Sequence, residues 1–331
     1  MPTAAAIPAF LASLAGTLFA ARLLAQRLDR LGVRFGFPES LIGLLTAVAA
    51  DGPEISSALV ALAKGDRGIS VGVLVGSNAF NLAAMIGISG LLVGSVQLAR
   101  AALLLEGLTV VAITLIAAAV LLQWLAVPVA AALTACVLVV YLSVVIGGYE
   151  LLEHRAMPRR VAEALGRALA SRTSHEAAPA ESSNPTHHLI GRMVVDLGVI
   201  IAGSFGMVQA AVALGDRWHV SRAALGVLVL APLTSIPNAF TGVRLGLARR
   251  GAALVGEAFN SNTINLAAGV VVPALFISTV ALGSTAKLQL GWLVGMTLVC
   301  VAFLAAPRGL RRLGAATLIA LYFGFVATQL A

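Results

Sequence analysis

Ala49-Ala50-Asp51-Gly52-Pro53-Glu54 and, further on, Gly76-Ser77-Asn78-Ala79-Phe80-Asn81 set polar groups inside an otherwise apolar chain. The first sets two carboxylates, Asp51 and Glu54, inside the apolar run 41–92. Glycine and proline together interrupt a helix there and leave backbone carbonyls without their usual donors. An ionisable group at membrane depth costs roughly 2.5–3.5 kcal/mol on insertion scales, so two of them beside a helix break mark a site. In the second stretch Ser77 and Asn81 stand four apart and share one helix face, offering small oxygens to complete a cation cage.

The surroundings of these stretches exclude a soluble protein. The chain has 331 residues, 60% hydrophobic and 11% charged, where soluble domains carry about a quarter charged residues. Apolar windows of about 20 residues suit spanning helices, and no alternating pattern suggests a barrel. Ten spans are expected near 4–25, 38–63, 69–94, 101–123, 125–147, 189–213, 222–247, 251–276, 286–306 and 310–330, the first as a retained span and not a cleaved signal. With the amino terminus outside, seventeen Lys and Arg fall on the cytoplasmic side and five outside, which also places the carboxyl terminus outside. The net charge of +8 therefore faces anionic headgroups of the cell (inner) membrane, not nucleic acid. Cys136 and Cys300 have neither metal-ligand nor disulfide spacing and read as packing residues.

Residues 148–188, rich in Arg, Ser, Glu and Pro, read as a cytoplasmic linker between two halves, 1–147 and 189–331. Glu106 reads as an interfacial charge, and Arg192 and Asp196, four apart, as a pair on one helix. The second half carries Ala231-Pro232-Leu233-Thr234-Ser235-Ile236-Pro237-Asn238, another proline-broken helix, and then Asn260-Ser261-Asn262-Thr263-Ile264-Asn265.

These segments, within 225–276, repeat the opening ones. A gapless shift of 184 residues lays Pro53 on Pro237, Gly72 on Gly256, Ser77 on Ser261, Asn78 on Asn262 and Asn81 on Asn265. Five spans per half bring the second copy into the membrane from the opposite side, so the expected fold is all-α and polytopic, with ten transmembrane helices as two inverted five-helix repeats. Two inverted broken helices meeting near the midplane are the architecture of a secondary transporter. Oxygen donors without nearby Cys or His favour hard cations such as Ca2+, Na+, Mg2+ or Mn2+. An enzyme is not expected, because Ser77 and Ser235 have no His or Lys base in a neighbouring segment.

The paired segments resemble the two alpha repeats of the sodium/calcium exchanger family, within the calcium:cation antiporters. Pro53-Glu54, Gly76-Ser77-Asn78-Ala79-Phe80-Asn81, Thr234-Ser235-Ile236-Pro237 and Ser261-Asn262 fit the family's Gly-Thr-Ser-x-Pro-(Glu/Asp) and Gly-Ser-Asn motifs. The resemblance implies exchange of Ca2+ for Na+ or H+ by alternating access, with inorganic cations as the only small partners and no covalent cofactor. It nominates Glu54, Ser77, Asn81, Thr234, Ser235, Ser261 and Asn265 as ligands, and the first and sixth spans as a sliding pair.

Departures from the pattern matter. Ala50-Asp51 stands where the family has Thr-Ser, and Asn238 where it has its second acid. One carboxylate has moved across the site and the total of two is kept, so Asp51 and Asn238 join the candidate ligands. Asn260 replaces a family glycine, and Glu257, one turn before Ser261, replaces an asparagine. Glu257 reads as a vestibule, proton or interfacial group. The competing expectation is a transport-incompetent relative that senses ions or serves as a scaffold through its loop.

Overall fold

The computed structural model describes residues 3–37, 39–153, 186–277 and 282–330, so most of the expected linker lies outside the described residues. Twelve helices follow one another among them: α1 Thr3–Arg34, α2 Glu39–Ala50, α3 Gly52–Ala63, α4 Arg67–Val93, α5 Arg100–Leu121, α6 Val127–Glu153, α7 Thr186–Trp218, α8 Arg222–Thr234, α9 Ile236–Leu247, α10 Gly251–Leu266, α11 Ser284–Ala305 and α12 Arg312–Leu330. A two-residue antiparallel ladder pairs β1 (Ser95–Val96) with β2 (Leu310–Arg311), tying the turn after α4 to the turn before α12.

The protein is an all-α, polytopic membrane protein. Among the described residues seven helices are long and apolar enough to cross a membrane, eight if α8 and α9, bent by 50°, make one span. The expected spans 38–63 and 251–276 are not among these, for a physical reason: a break at Asp51 divides the first, and the buried polar groups Ser261, Asn262, Thr263 and Asn265 lower the hydropathy of the second. Asp51 separates α2 from α3, and Ser235 separates α8 from α9. Proline sits at the second helical position after each break, so the carbonyls of Ala49 and Leu233 lose the donor four residues on. Beyond the site-bearing face of α10, the helix passes into π-helical turns at Ala267–Val271; α4 does so at Leu82–Ile88, directly after Asn81.

α4 is the centre of the bundle, with 89% of its most apolar window buried, whereas the corresponding window of α6 is 17% buried and lies at the rim. Small residues bring α4 into backbone contact with α8. A Cβ on Gly72 would stand 2.6 Å from the Ala223 carbonyl, and one on Gly76 would stand 2.9 Å from Cα of Val227. On the other side of α4, Gly242 of α9 packs on Met85 and Gly246 on Ser89.

α1 and α7 lie against one another with a small apolar cluster of their own, Ala20, Ala21 and Ile200. Gly203 and Gly206 of α7 face Thr17 and Ser13 of α1. Arg27 of α1 bonds both the Asp196 carboxylate and, at 3.0 Å, the Arg192 carbonyl. Asp196 therefore does not pair with Arg192 as the i,i+4 spacing suggests; its side chain is buried against α1 and takes its cation from there. Ser56 and Ser204, 2.5 Å apart, link α3 to α7.

Candidate cation site

The two breaks face one another across α4 and α10. Asp51, the last residue before α3, is 1% exposed, and Glu54 in the first turn of α3 is fully buried. The α8–α9 break supplies their partners. Asn238 donates to Oδ1 of Asp51 at 2.8 Å, and Ser235 donates to Oε1 of Glu54 at 2.9 Å. Under the shift of 184 residues Asp51 corresponds to Ser235 and Glu54 to Asn238, so these two bonds are images of each other.

α10 adds a second donor to the same acid. Ser261 gives its hydroxyl proton to Oδ1 of Asp51 at 2.7 Å and accepts from Asn238 at 3.3 Å and from Asn81 at 3.0 Å. The asparagines of α4 and α10 then lock the two helices together. Asn78 and Asn262 each donate to the other's backbone carbonyl, at 3.4 and 3.1 Å. Asn81 donates to Oδ1 of Asn262 at 3.1 Å, and Asn265 to Oδ1 of Asn78 at 3.2 Å. These too are images under the shift.

Of the nine buried side-chain oxygens without a hydrogen-bond partner among the described residues, five belong to this region: Oδ2 of Asp51, Oε2 of Glu54, Oδ1 of Asn81, Oδ1 of Asn265 and Oγ of Ser57. Buried acceptors are nearly always paired, and a carboxylate oxygen left bare in the low-dielectric interior is expensive. Among the described residues neither Asp51 nor Glu54 has a basic partner. Two carboxyl groups with bare oxygens, flanked by neutral amide and hydroxyl oxygens, suit a hard cation, whose charge would balance theirs once ionised. The bare atoms here are carboxyl, amide and hydroxyl oxygens, and no trio of His, Cys, Asp and Glu is gathered among the described residues.

Of the expected ligands, the structure brings Asp51, Glu54, Asn81, Ser235, Asn238, Ser261 and Asn265 into one buried array, none more than 5% exposed. Ser77 and Thr234 are buried too, but their hydroxyls turn back on their own helices. Ser77 donates to the Leu74 carbonyl at 3.2 Å, and Thr234 to those of Leu230 and Ala231 at 2.9 and 3.2 Å. Glu257 is half-buried on α10, within electrostatic range of Asp51. Ser57 was not expected; its position three residues after Glu54, on the same face of α3, is the signal that finds it. Glu106, expected as an interfacial charge, is 1% exposed, with the Tyr141 hydroxyl of α6 at 3.4 Å from its Oε1.

The family model described as sodium/calcium exchanger protein matches residues 5–147 and 188–331. No curated protein sequence matches the chain. Solved structures share the fold over nearly the whole length. The sodium-calcium exchanger NCX_Mj, soaked with 2.5 mM Na+ and 10 mM Sr2+, is 18% identical, covers 98% of this chain and 99% of its own, and has a TM-score of 0.60. The same exchanger soaked with 2.5 mM Na+ and 0.1 mM Ca2+ gives 18% identity, 98% of each chain and 0.60. Native YfkE is 15% identical, covers 97% of this chain and 91% of its own, and scores 0.65.

Proposed function

The chain belongs to the sodium/calcium exchanger protein family, whose members are secondary-active cation antiporters and not enzymes, and from that membership we propose that it exchanges Ca2+ for Na+ or H+ at the buried array around Asp51 and Glu54. The observation that carries the reading is the pair of bare carboxylate oxygens, Oδ2 of Asp51 and Oε2 of Glu54, with Asn81, Asn265 and Ser57 oxygens equally unpartnered beside two helix breaks. Asp51 and Glu54 balance one divalent ion or two monovalent ones. Asn238 and Ser235 hold these acids in place without adding charge. Ser77 and Thr234 keep lone pairs for a cation, since their hydroxyl protons are spent on backbone carbonyls.

The architecture in this reading is ten spans, α2 with α3 and α8 with α9 each counting as one, arranged as two inverted repeats over 1–147 and 189–331. Helix bounds support it. Adding 184 to Gly52–Ala63 gives Ile236–Leu247, and adding it to Arg100–Leu121 gives Ser284–Ala305. Both termini then lie outside, and the 148–188 loop lies in the cytoplasm of a cell whose inner membrane holds the protein. The clustering of loops supports the grouping of these turns by face. Arg222 pairs with Asp66 at 3.7 Å and Asp216 at 2.9 Å on the expected outer face, while Gly251 lies against Gln97 beside the β1–β2 ladder on the other. Alternating access follows if α1 and α7, which share an apolar cluster besides adding Phe10, Leu14, Met207 and Val208 to the main core, slide as a unit over the two breaks.

The experiment is uptake of radioactive Ca2+ into reconstituted vesicles under an imposed Na+ gradient and, separately, an imposed H+ gradient. Gradient-driven uptake is the expected result, and the gradient that drives it names the counter-ion. Folded protein that moves Ca2+ with neither would instead favour a transport-incompetent relative, the reading that neutral Asn238 recommends.

A further inference from the structure

Three residues that stand outside the cation array meet behind α10. Glu106 of α5 and Tyr141 of α6 are 1% and 3% exposed, and the Tyr141 hydroxyl lies 3.4 Å from Oε1 of Glu106 and 2.6 Å from Oδ1 of Asn260. The corresponding positions of the other half, found by the 184-residue shift, are Leu290, Phe325 and Gly76, all apolar and packed. So a carboxyl, a phenol and an amide replace a leucine, a phenylalanine and a glycine together, and on one side only. Gly76 is where α4 touches α8; at the matching place α10 carries an amide that reaches for a hydroxyl instead.

We propose that Glu106 is a proton-binding site which, through the Tyr141 hydroxyl and Asn260, sets the hold of the scaffold on α10 and thereby makes cation binding proton-linked. A phenol has one proton to give and faces two acceptors here. With Glu106 protonated, its O–H donates to the Tyr141 oxygen and the Tyr141 O–H donates to Asn260, so each proton has one acceptor. When Glu106 loses its proton to bulk water, the carboxylate competes for the Tyr141 proton with a charge-assisted bond, and Asn260 is released. Asn260 adjoins Ser261, whose hydroxyl occupies Oδ1 of Asp51. Protonation therefore favours the hydrogen-bonded arrangement seen here, and deprotonation frees α10 to turn Ser261 toward a cation.

Charged and titratable groups stand on each element packed against α5. α6 carries Cys136 and Tyr141, and Tyr149, Glu150 and Glu153 on its last turns. α10 contributes the half-buried Glu257. α11, which lays Val301 on Gly107, has Lys287 near its start and buried Cys300, and Arg100 opens α5 itself.

The linkage to cation binding rests on the antiporter reading, whereas the proton site is tested without it. Infrared spectra of the full chain in lipid nanodiscs, titrated from acid to alkaline pH, report protonated carboxyl groups directly. A carboxylic-acid carbonyl band that is absent in Glu106→Gln, and whose loss shifts in pH in Tyr141→Phe and in Asn260→Gly, is expected. A band unchanged in Glu106→Gln, or one that titrates identically in the other two variants, overturns the proposal. Should Glu106→Gln fail to fold, Glu106→Leu takes its place, since leucine is the residue of the matching position. In the same samples Ca2+ binding is measured with a pH indicator, and proton release per Ca2+ bound is expected to fall by about one in Glu106→Gln. Unchanged release would leave Glu106 unlinked to the cation and overturn that part. Wild-type protein that binds no Ca2+ counts against the antiporter reading alone, because the infrared titration still decides the proton site.

Discussion

Asn238 donates its side-chain amide to Oδ1 of Asp51 across 2.8 Å, so the neutral residue at the place of the family's second acid faces the acid that the first break has gained. If the resemblance is read as a carboxylate moved from position 238 to position 51, the two positions lie one hydrogen bond apart. Charge count and location are thereby separable by substitution.

Asp51→Ser combined with Asn238→Glu returns the family's distribution, one acid per break. The double variant should retain more Ca2+ exchange than either single change, because Asp51→Ser alone leaves one carboxylate and Asn238→Glu alone sets three buried charges together. Vesicle uptake under the driving gradient reads this. A double variant no better than the worse single one would show that the positions do not substitute for each other.

Ser57→Ala separates binding from folding. The Ser57 hydroxyl is fully buried and unpartnered, so removing it deletes an unsatisfied polar atom and should leave thermal stability unchanged or slightly raised, by up to about 1 kcal/mol. If its oxygen serves the cation, Ca2+ affinity falls by roughly tenfold, the worth of about 1.4 kcal/mol. Binding isotherms and melting curves on the same preparation give both numbers. Affinity unchanged in a stable variant would remove Ser57 from the site.

Much of this site is legible in the sequence for a physical reason: proline and buried acids at membrane depth are costly, so Asp51, Glu54 and the Ser-Asn-x-x-Asn pairs stand out in an apolar chain. What escapes the sequence depends on three-dimensional neighbours. Asp196 looks served by Arg192, four residues away, yet the α1–α7 crossing gives it Arg27. Glu106 lies near a helix start and reads as interfacial, until α6 brings Tyr141 over it. The exchange of amides between Asn78 and Asn262 needs the two copies face to face, which no single segment reveals. Ser77 and Thr234 show the converse, motif positions whose hydroxyls the local backbone captures.

Packing at the α4–α8 contact predicts a sharp contrast between two glycines. Gly72→Ala places a methyl 2.6 Å from the Ala223 carbonyl and should destabilise the protein by about 1–3 kcal/mol. Gly16→Ala, with open space around its Cβ, should be neutral or stabilising by about 0.5–1 kcal/mol. Thermal unfolding in detergent checks both, and equal effects would contradict the close approach.

Sidedness is decided by accessibility. With the exposed Cys136 replaced by serine, a cysteine at Ser182 should react with an impermeant reagent only from the cytoplasmic side, and one at Gly65 only from outside. Reaction of both from the same side would remove the inverted arrangement.

The most direct test of the two-carboxylate site is Ca2+ exchange by Asp51→Asn, in protein shown to be folded and inserted. One charge then faces a dehydrated divalent ion, and breaking a buried charge pairing costs about 3–5 kcal/mol, so exchange should fall about 100-fold or more. Exchange at the wild-type rate would contradict the account and leave Glu54 as the only anionic ligand.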